Sequence, residues 1–199
     1  ALQQAVRDSE PGDAALLAGP GMLDRIAEGF AAVVDAKSPY TATHSARVTE
    51  VAVGIAREMG FAPAELAELR RAGLLHDLGK LSIPNSILDK PGALTAEEWE
   101  LVRLHPFFTQ CVIERIRGFG ALAVVAASHH ERLDGRGYHR SLRGTAIPPG
   151  GRVLAVADMF EALTANRPYR PALPEETALK ILEAERNVGL DSDCLDALV

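Results

Sequence analysis

The chain has 199 residues, 47% of them hydrophobic and 24% charged, with a formal net charge of -6; this is enough apolar material for one domain core, and the charge excludes sequence-independent binding of long nucleic acid, which needs a basic face to displace counterions. No run approaches the roughly 18 uninterrupted apolar residues of a membrane span, and the N-terminus lacks the regions of a signal peptide, so a cytoplasmic location is expected. Cys111 and Cys194 stand far apart and outside any CxxC pattern, which argues against a disulfide framework or a thiolate metal site and leaves both as packing residues.

Residues 1–21, with Pro11, Gly12, Gly19, Pro20 and Gly21, hold too many breakers for a long helix. They read as a linker or the end of an upstream element, and the domain is expected over residues 22–199. Leu23, Ile26, Phe30 and Val33/Val34 form a helical stripe with two readings, part of the core or the seam of a homodimer through residues 22–34. Val48, Val51, Ile55 and Met59 form a second stripe ending at Gly60. A third helix passes Leu66, Leu69 and Leu74 and is expected to stop at Gly79, a residue suited to a left-handed turn. Thr95 with Glu98 has capping-box spacing and opens a helix through Trp99, Leu101 and Val102 towards His105, where Pro106 forces a bend or restart. Further helices are expected over residues 119–130, 151–165 and 174–187, with a short capped one from Asp191. With no alternating strand pattern, the fold class is all-α, a bundle of about seven or eight helices.

The polar residues on the inward faces carry the chemistry. His44 shares a helix face with Val48, Val51 and Ile55, and His76 stands likewise after Leu66, Leu69 and Gly73, followed at once by Asp77. Adjacent helical residues project about 100° apart, so His76 and Asp77 are not expected to reach one ion comfortably together, whereas the carboxylate can bridge to a second ion. His129 and His130 close the apolar segment containing Leu122, Val125 and Ala126, and Asp158 lies one turn after Leu154. A lone buried histidine is ordinarily satisfied by a backbone carbonyl. Several such groups on different helices are explained together by shared metal coordination. Imidazole and carboxylate without thiolate favour iron or manganese, with zinc, nickel or cobalt behind them.

His76-Asp77-Leu78-Gly79-Lys80, His105-Pro106, His129-His130-Glu131, Asp134-Gly135-Arg136-Gly137-Tyr138 and Asp158 followed by Arg167-Pro168-Tyr169-Arg170 occur in that order over most of the chain. Together they resemble the HD-GYP family. The resemblance implies an HD-domain helical bundle holding two or three transition-metal ions, and hydrolysis of the messenger cyclic di-GMP to linear pGpG or to GMP. It makes His44, His76, Asp77, His105, His129, His130 and Asp158 the metal ligands, with Asp77 bridging. It further implies Asp77 and Lys80 as the catalytic pair, and Lys80, Tyr138, Arg167 and Arg170 as substrate contacts. An upstream sensor or receiver domain would supply the regulatory input.

The chain departs from the family's pattern twice. Where the name motif ends in proline this chain has His139, so the loop loses a fixed backbone angle and gains a sixth imidazole. That histidine reads as a solvent-exposed accident, or else as an extra ligand or proton donor. Members with three ions resemble one another in a glutamate four residues before the first ligand histidine; here that residue is Tyr40, which favours two ions. The expected activity is a dinuclear phosphodiesterase. The alternatives are an inactive cyclic-dinucleotide-binding module, a phosphohydrolase of other nucleotides, and, last, a diiron oxygenase.

Overall fold

The computed structural model describes residues 19–37, 43–116, 118–166 and 171–199. Among them, α-helix and short 3-10 turns are the only regular elements apart from one isolated bridge between Arg186 and Leu190. The chain opens with α1 (Pro20–Asp35), α2 (His44–Glu58) and α3 (Pro63–Leu75), passes a 3-10 turn (Leu78–Ser82), and continues through α4 (Asn85–Leu88), α5 (Ala96–Val102), α6 (His105–Ile113) and α7 (Gly120–Ala126). A second 3-10 turn (Gly144–Ala146) precedes α8 (Pro149–Thr164), α9 (Glu175–Glu183) and α10 (Ser192–Asp196). The four-residue α4 and the separate α6 that restarts at His105-Pro106 carry the count beyond the expected seven or eight.

Proline sets many of the starts. Pro20, Pro63, Pro106 and Pro149 occupy the first turn of α1, α3, α6 and α8, where a missing N–H costs nothing and the fixed φ suits the helix. The capping box forms as expected: Thr95 Oγ1 accepts from the Glu98 amide at 3.3 Å, and Glu98 accepts from the Thr95 amide at 2.7 Å. Gly60, at φ 78°, ends α2 in the left-handed conformation, and Asp191 caps α10 by accepting from the Asp193 and Cys194 amides.

The core lies where α2 packs between α3 and α8, filled by Val48, Ile55, Leu69, Leu75, Val153 and Leu154, all nearly or fully buried. The first helix buries Ala27, Ala31 and Val34 against this core, with Leu23, Ile26 and Phe30 half-buried beside them and Val33 exposed. That face is therefore at least partly core. The helix begins two residues before the expected boundary at 22, and most of the expected linker lies outside the described residues. Among the described residues no helix is long and apolar enough to cross a membrane.

Two expectations need correction. The segment expected as one helix over 119–130 ends at Ala126, so His129 and His130 stand in the turn that follows. Nor does Gly79 stop α3 in a left-handed turn; α3 ends at Leu75 and Gly79 sits inside the 3-10 turn. Its reason for being glycine is proximity: a Cβ there would meet the His105 carbonyl oxygen at 1.9 Å. The missing side chain lets the start of α6 rest directly on the 3-10 backbone.

Candidate metal centre

Five histidines arrive from helix ends. His44 is the first residue of α2, His76 the cap of α3, His105 the first residue of α6, and His129 and His130 follow α7. Chain termination explains the ring orientations. The Nδ1 atoms of His76, His105 and His129 each lie 2.7 Å from the carbonyl oxygen three residues back, of Gly73, Val102 and Ala126. A helix end leaves such carbonyls without an intrahelical partner, so each imidazole donates its Nδ1 proton there and turns Nε2 towards the interior. His44 Nδ1 does the same to Glu161 Oε2, at 2.6 Å.

These Nε2 atoms converge on Asp77. His44, His76 and Asp77 form one group with ligand atoms within 4.8 Å, and His105, His129 and His130 form another. Asp77 faces both: Oδ2 lies 3.4 Å from the Nε2 atoms of His44 and His76, while Oδ1 lies 3.3 Å from His105 Nε2 and 3.8 Å from His129 Nε2. Asp158 spans the same gap, with Oδ1 3.4 Å from His44 Nε2 and Oδ2 3.9 Å from His130 Nδ1. The 100° argument against His76 and Asp77 sharing an ion fails here, because Asp77 has left the helix, at φ -96° and ψ 6°, and its carboxylate swings back beside its neighbour's ring.

Buried atoms without partners show that these residues suit a cation. His76 Nε2 and Asp77 Oδ1 have no hydrogen-bond partner among the described residues, and a buried acceptor left so costs roughly 1–3 kcal/mol. His105 Nε2 and His129 Nε2 face each other at 3.0 Å with both Nδ1 protons already committed. Two such lone pairs repel, yet nitrogens bound at about 2.1 Å to one ion at right angles would stand about 3.0 Å apart.

Protonation agrees. Burial first, then the neighbouring imidazoles of His130, His76 and His105, hold His129 well below the usual imidazole range, and burial brings His105 down to about 3 and His130 to about 4, so these rings are neutral. For Asp77 burial opposes ionisation, but Lys80 and His76 outweigh it and the carboxyl stays ionised. His44 is the exception: burial lowers it, but bonds to Asp158, Asp77 and Glu161 prevail and raise it well above its ordinary value. A cation arriving beside His44 Nε2 would replace that proton.

The remaining expected residues divide. Half-buried Lys80 donates to Asp77 Oδ2. The Tyr138 ring lies 4.6 Å from His130 and 6.3 Å from His105, at the mouth of the cluster, and burial raises its pKa so the phenol keeps its proton. His139 is neither a free surface residue nor part of the cluster: its Nε2 lies 2.7 Å from Gln110 Oε1. Its φ of 94° is beyond proline's reach, so this loop takes a path on which the motif proline could not sit. Tyr40, Arg167 and Arg170 lie outside the described residues.

Three residues went unassigned in the sequence. Glu161, one turn after Asp158, orients His44. Thr109 Oγ1 donates to the His76 carbonyl and accepts from the Gly79 amide, both at 2.9 Å, tying α6 to the His76-Asp77 turn. Glu131, buried, accepts from the amides of Arg140 and Leu142 at 2.8 Å and so holds the loop that carries Tyr138. Helical spacing from Asp158 could have pointed to Glu161, and Glu131 stood in the His129-His130-Glu131 motif without a role; nothing local pointed to Thr109.

A family model described as HD domain matches residues 29–194. The 3′3′-cGAMP-specific phosphodiesterase 3 of Vibrio cholerae is 43% identical over 197 residues, which cover 99% of this chain and 43% of that protein. The cyclic di-GMP phosphodiesterase response regulator RpfG of Xanthomonas campestris is 37% identical over 172 residues, 85% of this chain and 46% of its own length. A solved cyclic GMP-AMP-specific phosphodiesterase of V. cholerae superposes with a TM-score of 0.62 at 39% identity, over 99% of this chain and 45% of that one. The chain thus spans less than half the length of these relatives.

Proposed function

We propose that this chain, which belongs to the HD-domain family and to its HD-GYP branch, is the catalytic domain of a metal-dependent phosphodiesterase of cyclic dinucleotides. The observation that carries the reading is Asp77, buried, with one carboxylate oxygen turned to each of two histidine groups. Two ions would fit such an arrangement: His44, His76, Asp77 and Asp158 would hold one, and His105, His129, His130 and Asp77 the other. Iron or manganese suits the donor set; when bound, such a pair supplies a nucleophile at neutral pH and a clamp for phosphoryl oxygens.

The chain's own groups do the rest. Carbonyl-anchored imidazoles hold Nε2 fixed and aimed at the interior, so little reorganisation accompanies the reaction. Lys80, beside Asp77 and half-exposed, stands where an ammonium offsets charge on the leaving 3′-oxygen. Tyr138 walls the site over His130, and Arg167 and Arg170 are assigned to phosphate or guanine by their motif alone.

Cyclic di-GMP is the substrate implied by the motifs, and 3′3′-cGAMP has independent support from the relative 43% identical to this chain. Both should be offered, separately, to protein loaded with iron or manganese, and products followed by chromatography. Ring opening of at least one is expected, with the larger kcat/KM naming the preferred substrate. No turnover of either across a range of pH would overturn the proposal.

A further inference from the structure

The mouth of the metal centre has a rim that none of the motifs includes. Arg103, the residue capping α5, lies two positions before His105 and is exposed. Its guanidinium carbon stands 6.0 Å from the Trp99 ring centroid and 5.9 Å from that of Tyr138, whose ring in turn lies against His130. Among the described residues the guanidinium has no ion pair or hydrogen bond, so its donors are open. Trp99 is 45% exposed, a large apolar surface left to solvent.

A cyclic dinucleotide carries two phosphodiester anions on opposite sides of its ring and two purine faces. With one phosphate at the metal centre, the other projects outwards and needs its own cation, and the chain as a whole, at net charge -6, offers no general positive field. Lys80 is already engaged by Asp77. A guanidinium steadied by flanking rings has less freedom to lose than a free side chain, and its planar fork matches a phosphate. An exposed indole suits stacking with a purine.

We propose that Arg103, steadied between Trp99 and Tyr138, is a substrate-binding residue that holds the phosphate not being cleaved, while Trp99 receives a purine face. This rests on the phosphodiesterase reading for the ligand's identity. The competing role for Arg103 is a cation favoured at the C-terminus of α5, which a lysine would fill equally well.

The test compares wild type, Arg103→Ala, Arg103→Lys and Trp99→Ala on a cyclic dinucleotide and on bis(p-nitrophenyl) phosphate, which has a single phosphate. Calorimetric titration of the cyclic dinucleotide provides a readout independent of turnover. Arg103→Ala is expected to raise KM and Kd for the dinucleotide about tenfold or more, with kcat and the small substrate little changed. Arg103→Lys should recover only part of the loss, and Trp99→Ala should shift in the same direction by less. Unchanged dinucleotide affinity in Arg103→Ala, full rescue by lysine, or equal losses on both substrates would overturn the assignment. If wild type binds the dinucleotide but cleaves neither substrate, the catalytic reading fails alone, and weaker binding by Arg103→Ala would still uphold the role of Arg103. If wild type does not bind the dinucleotide, both fail.

Discussion

Adding one methyl group at Gly79 should damage both the fold and the metal centre. A Cβ at this position would lie 1.9 Å from the His105 carbonyl oxygen, 2.7 Å from the Thr109 nitrogen and 2.8 Å from the His105 carbonyl carbon. Non-bonded heavy atoms settle at about 3.5 Å, so α6 and the 3-10 turn must part by more than about 1 Å, and all three obstructing atoms are backbone. Overpacking of this kind costs about 1–3 kcal/mol, more where backbone must move. At about 2–4 °C per kcal/mol for a chain of this size, Gly79→Ala should lower Tm by roughly 6–12 °C if the cost reaches about 3 kcal/mol. It should also displace His105, whose Nε2 stands 3.3 Å from Asp77 Oδ1, and so weaken metal binding. Gly54→Ala is the control. Gly54 lies mid-helix in α2 with nothing within 4 Å of its Cβ position, so alanine there should stabilise by up to about 1 kcal/mol. Thermal unfolding of the metal-free proteins, followed by manganese titration, reads both effects. A Gly79→Ala protein with wild-type Tm and wild-type metal affinity would refute the close approach on which this geometry depends.

Glu161→Ala removes the acceptor 2.6 Å from His44 Nδ1 and should lower metal affinity about 10–100-fold in competition with a chromophoric chelator, with Glu161→Gln losing less; equal affinity in the alanine variant would contradict the orienting role. Glu131→Ala deprives the Arg140 and Leu142 amides of a charged acceptor, at about 1.5–3 kcal/mol each, and should accelerate proteolysis within residues 136–143 while leaving the far side of the bundle protected. In the metal-free protein, His105 is neutral in the fold but takes a proton on unfolding below about 6.5, so its contribution is lost as pH falls from there towards about 3. His44 acts in the opposite sense: the folded state keeps its proton above 6.5, so that contribution is lost as pH rises through its elevated value. His129 and His130 act in the same sense as His105, so urea titrations of chelated protein from pH 5 to 8 should give a stability maximum near neutrality (about pH 7), and a monotonic rise across that range would contradict the assigned states.

Much of the bundle was legible because its signals are local. The capping box at Thr95, the glycine after α2 and the cap at Asp191 act within one turn of chain, and the structure follows each of them. Part of the gathering was legible in the inward-facing positions of His44, His76, Asp77, His129, His130 and Asp158, whereas the full set, with His105, came only through the resemblance to the HD-GYP family. Helix ends were harder. The segment after Ala126 and the one after Leu75 were both carried too far as helix, since periodicity does not register that an imidazole can take an end carbonyl and so favour stopping. That stop is what frees Asp77 to stand beside His76. Thr109, Arg103 and the role of Glu131 were invisible for a different reason: their partners lie on other elements or on a loop, and only the folded chain brings them together. His139 shows the converse, a visible departure from a motif that leads away from the cluster to Gln110.

The most direct measurement is the transition-metal content of protein purified without oxygen, set beside that of Asp77→Asn. Asp77 turns an oxygen to both histidine groups, so wild type should retain two iron or manganese ions per chain and the variant at most one. A wild-type chain that holds no such ion after loading, or a full complement unchanged in Asp77→Asn, would contradict the bridged centre.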